Sequence, residues 1–304
     1  MKTLTSIAPS RLIVTGSSGF VGGAFCTRYG GVSLADKAGR VDLKDAARVQ
    51  SAVARLQPEA VLHLAAQSSV ASSFADPEGT FATNFHGTSN LLQALKSIQF
   101  TGVFVYVSSA EVYGSAIDAD LPLKESQLLK PLSPYAESKV KTEDLCRQYS
   151  QAKSFRVVIA RPFNQIGAGQ DERFAIPNFA RQIVEMRLGR REPVLTTGDL
   201  TITRDFSDVL DTIDAYRAIL ENGRNGETYN ICSGQERSLQ SLVDGMLRIA
   251  GVQASFHIDP ARLRASEQMR MVGDPGRIRE QLGWKPEREL EETLNDILSG
   301  VETN

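Results

Sequence analysis

The chain has 304 residues, enough for one large α/β unit or two joined lobes. Its 41% hydrophobic and 23% charged content exclude the disordered and fibrous classes. With 34 basic against 36 acidic side chains the formal net charge is −2, which removes any chain-wide attraction to nucleic acid or to an anionic membrane.

Cys26, Cys146 and Cys232 are odd in number and lack ligand spacing, which argues against a disulfide framework and a zinc site. The residues Met1 to Arg11 hold no secretory-type apolar run, and no stretch approaches the roughly 18 apolar residues needed to cross a bilayer. The expected location is the cytoplasm.

In chain order, Arg11 to Thr15, Ala60 to Ala65, Gly102 to Ser109 and Arg156 to Phe163 read as buried strands. Amphipathic stretches such as Ser89 to Ile98 and Tyr135 to Ser150 lie between them. This alternation predicts βαβ units and a doubly wound parallel sheet. After Phe163 come loops and helical segments near Asn178 to Leu188, Asp208 to Leu220 and Ser238 to Ala250, with strand-like Glu227 to Ser233 between the last two. The expected organisation is a large sheet lobe that takes chain back from the second half, and a smaller lobe over the carboxyl ends of the strands, where ligands of open α/β sheets sit.

The first strand runs into Thr15-Gly16-Ser17-Ser18-Gly19-Phe20-Val21-Gly22 and then a helix-like stretch. Glycines at such a turn let the backbone approach a pyrophosphate resting on the helix N-terminus. The spacing Gly-x-x-Gly-x-x-Gly departs from the usual dinucleotide fingerprint, and by itself it also suits a plain strand-to-helix turn. Asp36 lies about 20 residues beyond Gly16, where an acid binds a ribose 2′-hydroxyl and favours NAD. Lys37 and Arg40 stand nearby, and a base there instead accommodates the 2′-phosphate of NADP, so both cofactors stay open.

Ser133-Pro134-Tyr135-Ala136-Glu137-Ser138-Lys139 reads as an N-cap serine, a proline at the first helical position, then a helix with Tyr135 and Lys139 on one face. An ammonium near a phenol pulls its pKa down toward working pH and makes it a proton donor or acceptor for a carbonyl or alcohol. Ser108 and Ser109 end the third strand, where a serine can hydrogen-bond a substrate oxygen as it changes between carbonyl and alkoxide.

The glycine-rich turn, strand-end serine and Tyr-x-x-x-Lys, in that order, resemble the extended short-chain dehydrogenase/reductases, the family of nucleotide-sugar epimerases, dehydratases and reductases. Asp42-Leu43, His63-Leu64-Ala65-Ala66-Gln67, Asn84-Phe85-His86-Gly87-Thr88, Arg161-Pro162-Phe163-Asn164, Thr203-Arg204-Asp205-Phe206 and Tyr229-Asn230-Ile231-Cys232-Ser233-Gly234 are similar to further blocks of that family. The resemblance implies a Rossmann-type domain of residues 1-165 plus 204-234, a nucleotide-sugar lobe of 166-203 plus 235-304, and a homodimer.

It also implies residue roles. Gly16, Ser18, Gly19, Phe20 and Val21 would cradle the cofactor, Asp36, Asp42 and Leu43 its adenosine end, and Leu64, Ala65, Ala66, Gln67 and Arg161 its remainder. Ser109, Tyr135 and Lys139 would carry catalysis, with Tyr135 and Lys139 also touching the cofactor, while Ser108, Ser109, Asn164, Asn178, Arg181, Arg204, Arg264 and Glu267 would bind the nucleotide-sugar.

Within the family the acid Glu111 suits a 4,6-dehydratase, in which it would abstract a proton beside a transient ketone, and weakens a 4-epimerase reading. The short interval from Val32 to Asp42 and the modest length point instead to a reductase with exchangeable NADP or NAD. Ala160 to Gln170, Gly198-Asp199-Leu200, Cys232 to Glu236 and Asp259-Pro260-Ala261-Arg262 resemble the reductases of GDP-4-dehydro-6-deoxy-D-mannose, whose product is GDP-D-rhamnose. The alternatives are a dehydratase or epimerase with tightly held NAD, or a catalytically silent cofactor-binding protein.

Overall fold

The computed structural model describes residues 8–114, 116–263 and 268–302. Strands Leu12–Thr15, Ala60–His63, Val103–Val107, Arg156–Pro162 and Thr228–Ile231 form one parallel sheet in that order. Val32 lengthens its first edge by backbone hydrogen bonds with Leu12 and Val14. Alternate residues of each strand face opposite sides, as the pleat requires. Leu12, Val14, Leu62, Val105 and Val158 pack beneath helices Phe20–Tyr29 and Val209–Asn222. Ile13, Val61, Phe104, Tyr106, Val157 and Ile159 pack on the other side, with Ala46–Leu56, Gly87–Ser97 and Pro134–Gln151. A sheet covered on both faces needs apolar residues at successive positions, which is why these strands read as continuous apolar runs.

Local signals set the helix starts. Asp45, Ser133, Asp208 and Ser238 each accept a first-turn N–H with the side chain. Gly251 ends Leu239–Ala250 in the left-handed region.

The smaller lobe is built on a second sheet, Glu236–Ser238, Thr203–Asp208 and Arg270–Met271, with Asn164–Ile166 paired to the same central strand. Helices Ala175–Arg187, Leu239–Ala250 and Leu290–Glu302 close over a separate core around Phe179, Ile183, Leu195 and Leu242. The chain returns to the large sheet through helix Val209–Asn222 and strand Thr228–Ile231. The preceding strand Thr203–Asp208 differs from expectation: it pairs only within the second sheet. Among the described residues no helix is long and apolar enough to cross a membrane.

Buried Asp205 joins the lobes by accepting from Ser233 N (2.7 Å), Ser233 Oγ (2.6 Å), Gly234 N (2.9 Å) and Gly273 N (3.2 Å). Four donors on one carboxylate compensate its burial and hold both lobes around the carboxyl ends of the large sheet.

Candidate active site

The turn after the first strand is tight for a specific reason. Gly16 has φ +71°, and a Cβ on Gly22 would lie 2.2 Å from the Gly16 carbonyl oxygen, so the turn and the helix pack backbone against backbone. Gly19 starts helix Phe20–Tyr29 with no capping side chain. Its first-turn N–H groups and positive helix end therefore suit a phosphate, and this cradle fits a dinucleotide. Phe20 packs against Gly167, and Val21 against the core of the sheet.

The adenosine end departs from the acid-to-ribose expectation. Asp36 is held by Arg48 through two hydrogen bonds, Nε–Oδ2 at 2.8 Å and Nη2–Oδ1 at 2.9 Å, which lower its pKa to about 2. Arg40 instead reaches over the glycine turn and donates to Ser18. Asp42 is exposed and caps Lys44 N at 2.9 Å, while Leu43 is buried against Gly87.

Leu64 to Gln67 follow the second strand and are held from below. His63 is buried between Thr15 Oγ1 at 2.7 Å and Thr88 Oγ1 at 2.8 Å, and burial lowers its pKa to about 3. Thr15 Oγ1 also accepts from Ala65 N at 3.1 Å. Asn84 sits in the single π-type turn Ala82–His86 among the described residues. It accepts from Gln67 N (2.8 Å) and donates to Gln67 O (3.1 Å) and Ser138 Oγ (2.9 Å). This polar anchor stood in a recognised block but was not among the expected site residues. Its π-turn, a frequent companion of functional sites, is not readable from local sequence.

At the centre, Ser133 caps Pro134–Gln151 and sets the register that directs Tyr135 and Lys139 inward. The Tyr135 phenol lies within hydrogen-bonding reach of Ser109 and near the Glu111 carboxylate. Ser109 Oγ accepts from Glu111 N at 3.2 Å. Lys139 Nζ is 5.8 Å from the Tyr135 ring centre, 5.1 Å from that of Tyr106, and donates to Val107 O at 2.8 Å.

The expected lowering of the Tyr135 pKa is not what these surroundings produce. Burial dominates, the Ser109 contact opposes it, Glu111 adds to it, and the phenol is pushed up to about 12. Lys139, held by a carbonyl, falls to about 8 because burial outweighs the support of Glu143. The phenol therefore keeps its proton at neutral pH.

Two expected contacts are turned inward. Ser108 Oγ donates to Glu143 Oε1 at 2.6 Å. Arg161, expected at the cofactor, is buried with Nε and Nη2 on Glu143 (2.9 and 2.6 Å) and Nη1 on Tyr113 Oη (3.0 Å). Both lie beneath the site, with their polar groups spent on a buried network.

A cavity of about 680 Å³ is lined by strand Asn164–Ile166, helix Ala175–Arg187 and strand Thr203–Asp208; Ser109, Tyr135 and Lys139 are not part of its wall. Asn164 is paired in register with Phe206, and Phe206, Arg204 and Ile202 line the wall at successive same-face positions. Arg204 is mostly buried, with Nη1 on Thr203 O at 2.8 Å. Further out, Asn178, Gly198 and Arg262 line the wall, with Arg262 Nη1 on Asn178 Oδ1 at 3.2 Å. Arg181 does not belong to this wall. It ion-pairs with Glu172 and Glu185 and borders a shallower recess. Arg264 and Glu267 lie outside the described residues.

A Rossmann-type sheet, a glycine cradle and the Ser109–Tyr135–Lys139 group at the sheet's carboxyl end define an extended short-chain dehydrogenase/reductase. The profile of the family described as GDP-mannose 4,6 dehydratase matches residues 35–297, and the chain belongs to that family. It is 42% identical to a GDP-6-deoxy-D-mannose reductase of Pseudomonas aeruginosa, over 96% of this chain and 97% of that one. A UDP-glucose 4-epimerase of Rhizobium meliloti is 31% identical over 82% of this chain and 79% of its own. The solved structure of RMD from Pseudomonas aeruginosa complexed with NADPH superposes with a TM-score of 0.90 at 41% identity, covering 96% of this chain and 99% of that chain.

Proposed function

We propose that the protein is an NAD(P)H-dependent reductase of the C4 ketone of GDP-4-dehydro-6-deoxy-D-mannose, forming GDP-D-rhamnose. The near-full-length similarity to a GDP-6-deoxy-D-mannose reductase carries this reading. The local chemistry supports it. Bound on the glycine cradle, NAD(P)H would supply the hydride.

Ser109 is at hand to hydrogen-bond the ketone oxygen as negative charge develops, and Tyr135 to pass its phenolic proton to that oxygen. A phenol with a pKa of about 12 starts in the protonated form that reduction needs. Lys139 would hold the nicotinamide ribose and, as an ammonium, stabilise the phenolate left after transfer. Asn164 would meet the sugar and Arg204 the diphosphate, with Asn178 toward the base. The division into a cofactor lobe and a substrate lobe belongs to this proposal, with strand Thr203–Asp208 counted with the latter. So do a homodimer, for which the family resemblance speaks, and a cytoplasmic location.

The test is absorbance at 340 nm with NADPH or NADH and GDP-4-dehydro-6-deoxy-D-mannose, beside a Tyr135→Phe control. Oxidation that requires both sugar and Tyr135 supports the reductase. The second reading is a 4,6-dehydratase, favoured by the closeness of Glu111 to Tyr135. Loss of water from GDP-mannose without added reductant, abolished by Glu111→Gln, would establish it instead.

A further inference from the structure

We propose that Glu143 is a positioning residue for the reaction, its one carboxylate fastening the strand end that carries Ser109 to the helix that carries Tyr135 and Lys139. The inference rests on the reading of those three residues as catalytic. Glu143 lies one helical turn beyond Lys139 on Pro134–Gln151, fully buried. Its Oε1 takes Ser108 Oγ (2.6 Å) and Arg161 Nε (2.9 Å); its Oε2 takes Arg161 Nη2 and Arg147 Nη2, both at 2.6 Å.

The arrangement is stepwise. Lys139 holds Val107 by its carbonyl at 2.8 Å, and one turn later Glu143 holds Ser108 by its hydroxyl. Successive turns of the helix thus grip the two successive residues that lead into Ser109. Arg161 brings in the neighbouring strand Arg156–Pro162, so the carboxylate ties three elements together. An ion pair in such a place adds little stability over an apolar pair of the same volume. Its directed hydrogen bonds fix geometry, and catalytic groups need placement within about 0.5 Å.

Glu143 also faces Lys139 electrostatically. The groups around the Lys139 ammonium are Tyr135, Glu143 and Cys146 of its own helix, and His63 and Tyr106 of the sheet. Of these Glu143 is the charged acid, and it raises the lysine pKa against burial. Removing its charge lets Lys139 lose its proton at lower pH.

The test compares wild type, Glu143→Gln and Ser108→Ala in NADPH oxidation with the 4-keto sugar-nucleotide, measuring kcat, KM and the pH profile. Glu143→Gln is expected to lower kcat about tenfold or more with KM for the sugar-nucleotide nearly unchanged, the signature of misplaced reacting groups. The alkaline limb of kcat should move to lower pH, which loosened packing alone would not do. Ser108→Ala keeps the buried ion pair and removes one hydrogen bond; its kcat should fall about fivefold with the limb unmoved. If Glu143→Gln does not fold, Ser108→Ala decides. An unchanged kcat in each folded variant beside an active wild type overturns the proposal, whereas an inactive wild type overturns the reductase reading itself.

Discussion

Asp36 and Arg48 form a two-point ion pair, Nε–Oδ2 at 2.8 Å and Nη2–Oδ1 at 2.9 Å, that ties the end of the Val32–Asp36 segment to helix Ala46–Leu56. The carboxylate expected to select NAD is thereby neutralised by an internal cation. Arg40, which donates to Ser18 on the glycine turn, is a base near the cradle of the kind that would accommodate a 2′-phosphate. NADPH should therefore be preferred to NADH, and Arg40→Ala should raise KM for NADPH by about tenfold, the weight of one charge-assisted hydrogen bond. KM for NADH should stay near wild type. Equal loss with both cofactors would assign Arg40 to the turn rather than to the phosphate.

The pH dependence of reduction follows from two opposed shifts. Tyr135, at about 12, keeps its proton throughout the neutral range. Lys139, at about 8, loses its charge as pH rises through that value, and with it the support for the phenolate left by proton transfer. The rate of reduction should be flat below neutrality and fall above about pH 8, as single-turnover kcat against pH would record. A profile flat to pH 10 would mean that Lys139 stays charged or does not matter.

The elements and the candidate residues Ser109, Tyr135 and Lys139 were legible because their signals are local. Ser133-Pro134 announces a helix start, continuous apolar strands announce a sheet covered twice, and Gly16 to Gly22 announces a close turn. What was not legible depends on partners distant in the chain. Ser108 and Arg161 looked like ligand contacts until Glu143, a charged residue on an amphipathic helix, proved buried between them. Arg181 looked available until Glu172 and Glu185 closed on it. The Tyr135 pKa moved opposite to the simple tyrosine–lysine argument because burial of the phenol dominates, and the contact that opposes it comes from Ser109.

Arg204 and Arg181 make a controlled comparison. The first lines the large cavity, while the second is ion-paired outside it. Arg204→Ala should raise KM for the sugar-nucleotide by about tenfold to a hundredfold, as loss of a charge-assisted contact to phosphate does. Arg181→Ala should leave KM near wild type. Isothermal titration with GDP separates the two without turnover, and equal weakening in both would redraw the wall of the site.

His63 should make the fold sensitive to acid. It is neutral and buried between Thr15 and Thr88, with a folded pKa of about 3 against the ordinary 6.5. Between those values the unfolded chain binds a proton that the folded chain refuses, so stability rises with pH in this window and is lost as pH falls through it. The contribution is about 1.4 kcal/mol per pH unit for one proton. Urea unfolding at several pH values between about 4 and 6 should show that slope in the wild type, and His63→Gln, which cannot take up a proton, should show a slope smaller by about the same amount. Because Thr15 also receives Ala65 N at 3.1 Å, loss of the His63 contact should loosen the loop over the cofactor cradle and weaken NADPH binding. Identical slopes in the two proteins would mean that His63 takes up its proton in the folded state, with Thr15 turning to accept from Nδ1, since Thr88 Oγ1 spends its own proton on Asn84 O at 2.6 Å and already accepts from Nε2.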